Sequence, residues 1–247
     1  MNSCPLVMCL TNHVASEFTA DVLLAVGARP AMVEEASEAA ELADKADAVL
    51  VNLGTVHPRQ AEAIRAALSA LGPVPTTGAA VPGPVPTTGA GPVPWVLDPV
   101  ACHLLAYRRE LALELISLKP TLIRGNRAEI SFLLGFVPEK MGPVPTLSTG
   151  ETDEIYAPGT SASGWLPWKT VAGGVAMLQS VTATGCVQGA VCAALLGKGM
   201  SPLAAAESAS RLMKRAGEIA WERAKSPGSF KVALIDALYG LSKGDLL

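Results

Sequence analysis

The 247-residue sequence has few aromatic residues, no long run of either charge and no long apolar run. Aromatic side chains make up 4% of the chain and charged ones 17%, whereas 50% of the residues are hydrophobic. The 19 basic and 22 acidic residues nearly balance, so the charge pattern predicts neither a nucleic-acid partner nor a membrane-surface partner. No apolar run reaches the roughly 18 residues that a membrane-spanning helix needs. We therefore expect a small neutral or anionic ligand.

Cysteine and histidine are also scarce, with five and three residues in the chain. Their spacing shows neither a C-x-x-C pair nor a metal-ligand pattern, which argues against structural zinc and a disulfide scaffold. The N-terminal residues lack a charged region followed by an apolar core and a cleavage site. We therefore expect a cytoplasmic protein, with one α/β domain over residues 1–247 and a core rich in Ala, Val and Leu.

Apolar segments of strand length alternate with helical patterns in the first half of the chain. Strands are predicted at 5–10, 31–33, 48–54, 95–97 and 121–123, and helices before Gly27 and at 35–45, 58–71 and 107–118. Because the segment 48–54 is apolar on both faces, it is typical of a parallel strand between layers of helices. Ligands bind beyond the carboxyl ends of such strands, so Asn52, Gly54 and Asp98 are site candidates by position.

A near-repeat rich in proline interrupts this alternation. Gly-Pro-Val-Pro-Thr-Thr-Gly-Ala occurs at 72–79 and at 83–90, and Gly-Pro-Val-Pro recurs at 91–94 and at 142–145. Proline cannot donate to a strand ladder or continue a helix, so residues 72–94 are predicted to form a loop insertion. The copies at 91–94 and 142–145 each precede a short apolar strand, which indicates a strand entry.

The second half of the chain is predicted to end in helices. The segment 147–155 has the pattern of a strand, a turn and a second strand, and the Gly-rich stretch before Cys186 is predicted to be irregular. Helical patterns then cover 187–196, 202–224 and 230–241.

Two polar motifs stand where a helix begins, and each allows two interpretations. Asn12 could cap the helix that follows it or line a pocket. Asn126 and Glu129 lie three residues apart in the turn 124–129, where they share a face and could hold a hydrated Mg²⁺. The same spacing is that of a capping box, which on spacing alone is the preferred interpretation.

The segment Val181-Thr-Ala-Thr-Gly-Cys186 opens directly into an apolar helical pattern. The unpaired N–H groups and the helix dipole at such a start form an anion site suited to a phosphate. Cys186 would lie in the first turn, where its thiolate form is favoured. The alternative is a helix start packed under a loop with a buried cysteine.

Taken in order, these motifs resemble the hydroxyethylthiazole kinase family of the ribokinase-like superfamily. The resemblance covers most of the chain. It rests on residues 9–15 with 18–20, 27–32, 52–55, 97–100, 124–130, 149–153, 181–186 and 227–230.

The resemblance implies a ribokinase-like three-layer sandwich, with a mostly parallel central sheet flanked by helices. It implies ATP- and Mg²⁺-dependent phosphorylation of 4-methyl-5-(2-hydroxyethyl)thiazole in thiamine salvage, by a homotrimer with sites between subunits. The residues that it places at the thiazole are Asn12, Met32 and Gly54. Those that it places at the nucleotide and in the anion hole are Arg124, Thr149 and Gly185. Those that it places in the Mg²⁺ and phosphate region are Asp98, Asn126 and Glu129. Cys186 takes the position at which most ribokinase-like enzymes carry a catalytic aspartate, and it would supply positioning or a late proton transfer.

Three features depart from the family pattern. The Gly-rich turn after Asp-Pro-Val is replaced by the bulkier residues 101–106, which could block a ligand. Ala183 replaces the first glycine of the anion-hole loop and could distort it if that position needs a positive φ. The segment between Glu129 and Thr149 is shortened, so part of one sheet edge could be missing.

Two other functions compete with the thiazole kinase. A kinase for another small alcohol, such as a hydroxymethylpyrimidine, would be expected to carry an aspartate at position 186. A non-catalytic relative that binds nucleotide or thiazole would fit the altered loop 101–106. The set Asn126, Glu129, Gly185 and Cys186 favours the enzyme.

Overall fold

The computed structural model describes residues 4–71, 92–141, 144–159 and 167–243. Its strands are β1 (Leu6–Leu10), β2 (Arg29–Met32), β3 (Ala48–Asn52), β4 (Trp95–Asp98), β5 (Leu122–Asn126), β6 (Thr146–Thr149), β7 (Asp153–Tyr156) and β8 (Lys169–Val171). In these ranges they form one eight-stranded sheet in the order β2-β1-β3-β4-β5-β6-β7-β8. Pairing is parallel from β2 to β6, whereas β7 runs antiparallel to both β6 and β8. The predicted, mostly parallel sheet is confirmed.

Helices cover both faces of this sheet. They are α1 (Ser16–Ala25), α2 (Ala36–Ala43), α3 (Pro58–Ala70), α4 (Ala106–Ser117), α5 (Arg127–Phe136), α6 (Pro138–Met141), α7 (Thr184–Gly197), α8 (Pro202–Arg223) and α9 (Pro227–Ser242), with a 3₁₀ helix at Ala176–Ser180. Helices α1, α7, α8 and α9 pack on one face, and α2 to α6 pack on the other. The arrangement is the predicted three-layer sandwich.

Alternation along each strand divides the core between the two faces. In β1, Val7 and Cys9 pack under α1 and α7, whereas Met8 and Leu10 face the opposite layer. All five residues of β3 are buried, as expected for a strand covered by helices on both faces. Burial on both faces is therefore the reason why these segments are continuously apolar.

Several predicted boundaries differ from the structure. Gly27 ends α1 as predicted, with a φ of +76° that favours glycine. The predicted turn at 124–129 is wrong, because β5 continues to Asn126 and α5 begins at the next residue. The stretch before Cys186 is less irregular than expected, since it contains β8 and the 3₁₀ helix.

The proline-rich segments can be compared with the structure only in part. The predicted insertion at 72–94 lies outside the described residues except for 92–94. Pro94 and Pro145 each stand directly before a strand, so the predicted strand entries are confirmed. The segment between Glu129 and Thr149, which was expected to be shortened, contains most of α5, all of α6 and most of β6, and this part of the sheet is continuous. Among the described residues, no helix combines the length and hydropathy needed to span a membrane.

Candidate active site

Polar side chains meet at the carboxyl ends of the central strands. Asn12, just beyond β1, donates from Nδ2 to Oδ1 of Asn52 at 2.8 Å and to Sγ of Cys186 at 3.6 Å. Asn52, the last residue of β3, donates from Nδ2 to Oδ2 of Asp98 at 2.7 Å. Residues far apart in sequence are thus joined at one edge of the sheet, as the strand-end argument predicts.

Arg124 extends this connection toward β6. Its Nη1 lies 3.4 Å from Oδ2 of Asp98, and its Nη2 donates to Oγ1 of Thr149 at 2.6 Å. A Cβ at Gly185 would lie 2.7 Å from both Nη atoms, so only glycine leaves room for the guanidinium at the start of α7. We call the connected side chains the polar row: Cys186, Asn12, Asn52, Asp98, Arg124 and Thr149.

Asn12 also shapes the backbone around it. Its Oδ1 accepts a hydrogen bond from the N–H of Ala15 at 2.9 Å, just before α1. A Cβ at Gly54 would lie 2.6 Å from Nδ2 of Asn12, and the N–H of Gly54 donates to Asn52 at 2.9 Å. Asn12 therefore makes a capping-type contact and contributes to the polar row at the same time.

Asp98 is the carboxylate of the polar row, and its pKa is strongly raised. Burial raises its pKa from 3.8 to about 7, against the opposing effect of Arg124, and the charge of Glu129 raises it further. Within the described chain its Oδ1 is buried without a hydrogen-bond partner. An unpartnered, desolvated carboxylate oxygen next to a second carboxylate is suited to a divalent cation.

Asn126 and Glu129 form the capping box of α5. Oδ1 of Asn126 accepts from the N–H of Glu129 at 2.9 Å, and Oε2 of Glu129 accepts from the N–H of Asn126 at 2.7 Å. The other carboxylate oxygen of Glu129 accepts from the N–H of Ala101 at 2.7 Å. The capping interpretation is thus present in the structure. Because a carboxylate oxygen accepts more than one bond, the Mg²⁺ assignment stays a prediction.

The described residues contain no group of three or more His, Cys, Asp or Glu side chains placed to hold a metal ion. This composition does not exclude Mg²⁺, which is commonly held by one or two carboxylates together with substrate phosphates and water. Asp98 of the polar row and the neighbouring Glu129 are the two carboxylates that fit this requirement.

Helix α7 begins in the loop that the sequence predicted as an anion site. Ala183 has φ +70° and ψ +6°, in the left-handed region, and α7 starts at Thr184. The position therefore has the positive φ that suits glycine, and alanine adopts it with strain. The N–H groups that follow, including that of Gly185, are the ones the first turn of a helix leaves without an intrahelical partner.

Cys186 lies in the first turn of α7, as predicted, but its expected thiolate form is wrong. Burial raises the pKa of this thiol to about 11, and the nearby Asp98 carboxylate raises it as well. Arg124 and the amide of Asn12 act in the opposite direction with smaller effect. The desolvation of the sulfur outweighs the helix start, so Cys186 carries a neutral thiol at physiological pH.

A cavity of about 250 Å³ opens beside Arg124 and the start of α7. Its lining combines polar side chains with the apolar side chains of Leu178 and Met213. Its lining residues are Arg124, Asn126, Thr149, Gly150, Asp153, Leu178, Gln179, Thr184, Gly185, Gln188, Met213 and Lys214. The combination of hydrogen-bond donors and apolar surface in one lining suits an anionic organic ligand.

Met32 and two leucines of the loop 101–106 are exposed. Met32 ends the edge strand β2 and is 36% exposed. In the loop, Ala101 takes a φ of +58°, Cys102 is buried, and Leu104 and Leu105 are exposed. The bulky leucines of the altered loop are thus turned to solvent.

Sequence reasoning assigned no role to three residues at the cavity, namely Asp153, Gln188 and Lys214. Nε2 of Gln188 donates to Oδ2 of Asp153 at 3.0 Å, and Nζ of Lys214 lies 3.3 Å from Oδ1. Lys214 is buried on α8, a placement that is rare for an unpaired lysine. The sequence signal that could have identified Lys214 was its position within the apolar stripe of the helix predicted at 202–224.

The fold and site define a class of protein. The chain superposes on a ribokinase-like superfamily protein from Enterococcus faecalis V583 with a TM-score of 0.60, at 12% identity over 94% of this chain and 86% of that one. It superposes on the ADP complex of Bacillus subtilis pyridoxal kinase with a TM-score of 0.58, at 14% identity over 87% and 92%. The fold is therefore that of the ribokinase-like superfamily.

Sequence comparison narrows the class to one family. The model of the hydroxyethylthiazole kinase family matches residues 1–77, 79–150 and 144–244, and the chain belongs to this family. It is 38% identical to hydroxyethylthiazole kinase of Serratia proteamaculans over 98% of this chain and 90% of the relative, and 40% identical to that of Citrobacter koseri over 96% and 90%. The structure of a hydroxyethylthiazole kinase protein from Pyrococcus horikoshii OT3 superposes with a TM-score of 0.78, at 32% identity over 96% and 88%.

Proposed function

We propose that this protein transfers the γ-phosphoryl group of ATP to the hydroxyl of 4-methyl-5-(2-hydroxyethyl)thiazole, in thiamine salvage. The observation that carries the proposal is the contact between Asn12 and Cys186. It joins the side predicted to bind thiazole to the helix start predicted to bind phosphate. An alcohol held at Asn12 would thus lie next to a phosphoryl group held at α7.

The cavity beside the start of α7 supports binding of the nucleotide. Arg124 and Thr149 provide hydrogen-bond donors. The N–H of Gly185 is a further donor, in the first turn of the 14-residue helix α7. A triphosphate gains from both the guanidinium and the positive end of the helix dipole. The apolar side chains of Leu178 and Met213 in the cavity lining are suited to contact with the base.

Phosphoryl transfer through a loose transition state requires mainly positioning and neutralisation of charge. Asp98 and Glu129, with Asn126, are the residues that would hold Mg²⁺ near the phosphates. Bound there, the ion would neutralise charge on the transferred group. Arg124 would add a second, fixed positive charge from the protein. Because the buried Asp98 already contacts Arg124, it would also orient this guanidinium.

Cys186 would mainly position the alcohol, because a thiol with a pKa of about 11 is seldom ionised at neutral pH. Only its small thiolate fraction could accept the hydroxyl proton, late in the reaction, to give the neutral thiol. Replacing it by aspartate introduces a group that is ionised at neutral pH in its usual state. We expect C186D to retain or raise kcat, and C186A to lower it, with thiazole binding unchanged in both. An inactive C186D that folds and binds both substrates would contradict the proton-acceptor role.

The proposal includes a cytoplasmic, one-domain protein that assembles as a homotrimer with sites between subunits. The trimer is supported by apolar side chains that are exposed on the side predicted to bind thiazole. Val14, two residues after Asn12, is 63% exposed, and Met32 is 36% exposed at the end of the edge strand. A neighbouring subunit would cover them and complete the pocket at Met32. Sedimentation equilibrium of the purified protein tests the trimer.

The deciding experiment measures ADP formation by the purified protein with ATP and Mg²⁺, with and without hydroxyethylthiazole, and determines the mass of the product. We expect thiazole-dependent ADP formation and a phosphorylated thiazole. Turnover of hydroxymethylpyrimidine instead would identify a kinase for another alcohol. A folded protein that binds ATP without turnover would identify a non-catalytic relative, and either result would overturn the proposal.

A further inference from the structure

Two segments next to the cavity are fastened by one side chain of α8. Nζ of Lys214 donates to the carbonyl oxygens of Gly150 at 3.2 Å, Glu151 at 2.9 Å and Gly173 at 3.3 Å. Gly150 and Glu151 form the turn between β6 and β7. Gly173 follows β8 in the loop that leads to the 3₁₀ helix, whose residue Leu178 lines the cavity. A buried ammonium thus joins two segments that are distant in sequence.

Asp153 connects the same ammonium to Gly150 and Gln188, which both line the cavity. Oδ1 of Asp153 lies 3.3 Å from Nζ of Lys214 and accepts from the N–H of Gly150 at 3.0 Å. Oδ2 accepts from Nε2 of Gln188 on α7 at 3.0 Å. The β6–β7 turn is therefore held between α7 and α8, directly after Thr149, which contacts Arg124.

The neighbouring turn of α8 holds the second segment in a similar manner. Oε1 of Glu218 accepts from the N–H of Gly174 at 3.0 Å, one helical turn beyond Lys214. A Cβ at Gly217 would lie 2.9 Å from Cδ1 of Leu178, so glycine permits this close approach. Gly173 and Gly174 have φ values of +108° and +81°, which other residues rarely adopt. The loop after β8 therefore contacts α8 at Gly173 and Gly174, and the 3₁₀ helix that follows contacts α8 at Leu178.

We propose that Lys214 is a positioning residue for the nucleotide, acting through the β6–β7 turn and the loop after β8. This inference rests on the proposed function. Helices α7 and α8 are packed by many buried apolar residues, and Leu178 also packs against this core, whereas the carbonyls of the β6–β7 turn and of Gly173 are joined to α8 through Lys214. Loss of the ammonium would therefore displace the loops, and with them Thr149 and Leu178, more than the helices. The thiazole side at Asn12 has no described contact with Lys214 and should be unaffected.

The experiment compares K214M with a matched control, R211M, on the same helix. Arg211 is exposed and pairs with Glu207 one turn away. For each variant, the KM for ATP, the KM for thiazole, kcat and the Kd of the β,γ-methylene analogue of ATP are measured. We expect K214M to raise the KM and Kd of the nucleotides by about 10- to 100-fold, with a smaller change for thiazole. R211M should match the unmodified protein, and K214R should regain part of the affinity.

A second variant addresses the case in which K214M fails to fold. G173A leaves the ammonium in place but introduces a Cβ about 3.0 Å from Oε1 of Glu218 at a left-handed φ, so it should weaken nucleotide binding in the same direction. Equal effects on ATP and thiazole, or lower stability with unchanged nucleotide affinity, would overturn the positioning role. Binding of the analogue needs no turnover. An unmodified protein that binds it without phosphorylating thiazole would therefore refute the proposed function alone, and one that does not bind it would refute both.

Discussion

Replacement of Ala183 by glycine tests whether the start of α7 is strained. Ala183 takes a φ of +70° immediately before the helix. The left-handed conformation costs an L-residue roughly 1–2 kcal/mol, and A183G would relieve that strain. The change also increases the freedom of the unfolded chain, which opposes stability by about 0.4–1 kcal/mol. It further removes a partly buried methyl group that contributes a fraction of about 0.8 kcal/mol.

The sum of these effects predicts that A183G stabilises the protein by about 0.5 kcal/mol, or about 1–2 °C in Tm for a domain of this size. The matched control is A20G, inside α1, where the backbone is helical and the same change should destabilise by about 1 kcal/mol. Thermal unfolding of the two variants should therefore shift Tm in opposite directions.

The kinetic constants should change little in A183G. The loop already has the conformation that glycine favours, so the N–H groups at the start of α7 should keep their positions. We expect the KM for ATP to change by less than about twofold. A fall in Tm as large as that of A20G would refute the strain argument, because it would mean that alanine fits this position without cost.

Three further substitutions follow from the geometry of the polar row and of the residues in contact with it. In G185A the new Cβ would lie 2.7 Å from the guanidinium nitrogens of Arg124. Because the guanidinium is the flexible end of a side chain, it can move aside, and we expect circular dichroism to show an intact fold. The displaced guanidinium should raise the Kd of ATP about tenfold or more. Unchanged ATP affinity would contradict the role of Arg124. In E129Q one backbone N–H loses its carboxylate acceptor, so stability should fall by about 1–3 kcal/mol in denaturant unfolding, together with weaker Mg²⁺ dependence of kcat. An unchanged stability would show that the capping contacts contribute little. For D98N the comparison is the pH dependence of unfolding between pH 4 and 8. The pKa of Asp98 is about 7 in the folded protein and 3.8 ordinarily, so the unmodified protein should lose stability relative to D98N as pH rises between these values. The loss should be at most roughly 4 kcal/mol. The same pH dependence of unfolding in both proteins would refute the raised pKa.

The fold could be predicted largely because its central strands are buried on both faces. Segments such as β3 are continuously apolar, and this property survives in the sequence without any knowledge of partners. The strand β8 lacked such a signal, since it has three residues, of which only Val171 is buried. The end of β5 was mistaken for a turn because Arg124, Gly125 and Asn126 have the composition of one.

The site could be predicted where position along a strand was sufficient. Asn52 and Asp98 end neighbouring strands and are aligned in register, so their contact follows from topology. The pKa of Cys186 could not be predicted in this way, because it depends on desolvation by residues from other loops. The role proposed for Lys214 was equally hidden, since its acceptors are 41 to 64 residues away in sequence.

The polar row also has a consequence for how the sheet selects its strand alignment. Strands that are apolar on both faces define their register weakly, because a slip exchanges one buried apolar residue for another. A slip of two residues moves a side chain by about 6.6 Å along the strand, which is more than twice a hydrogen-bond length. Any such slip in β3, β4 or β5 would leave Asn52, Asp98 or Arg124 buried without its neighbour. These side chains of the candidate site therefore also penalise misaligned sheets during folding.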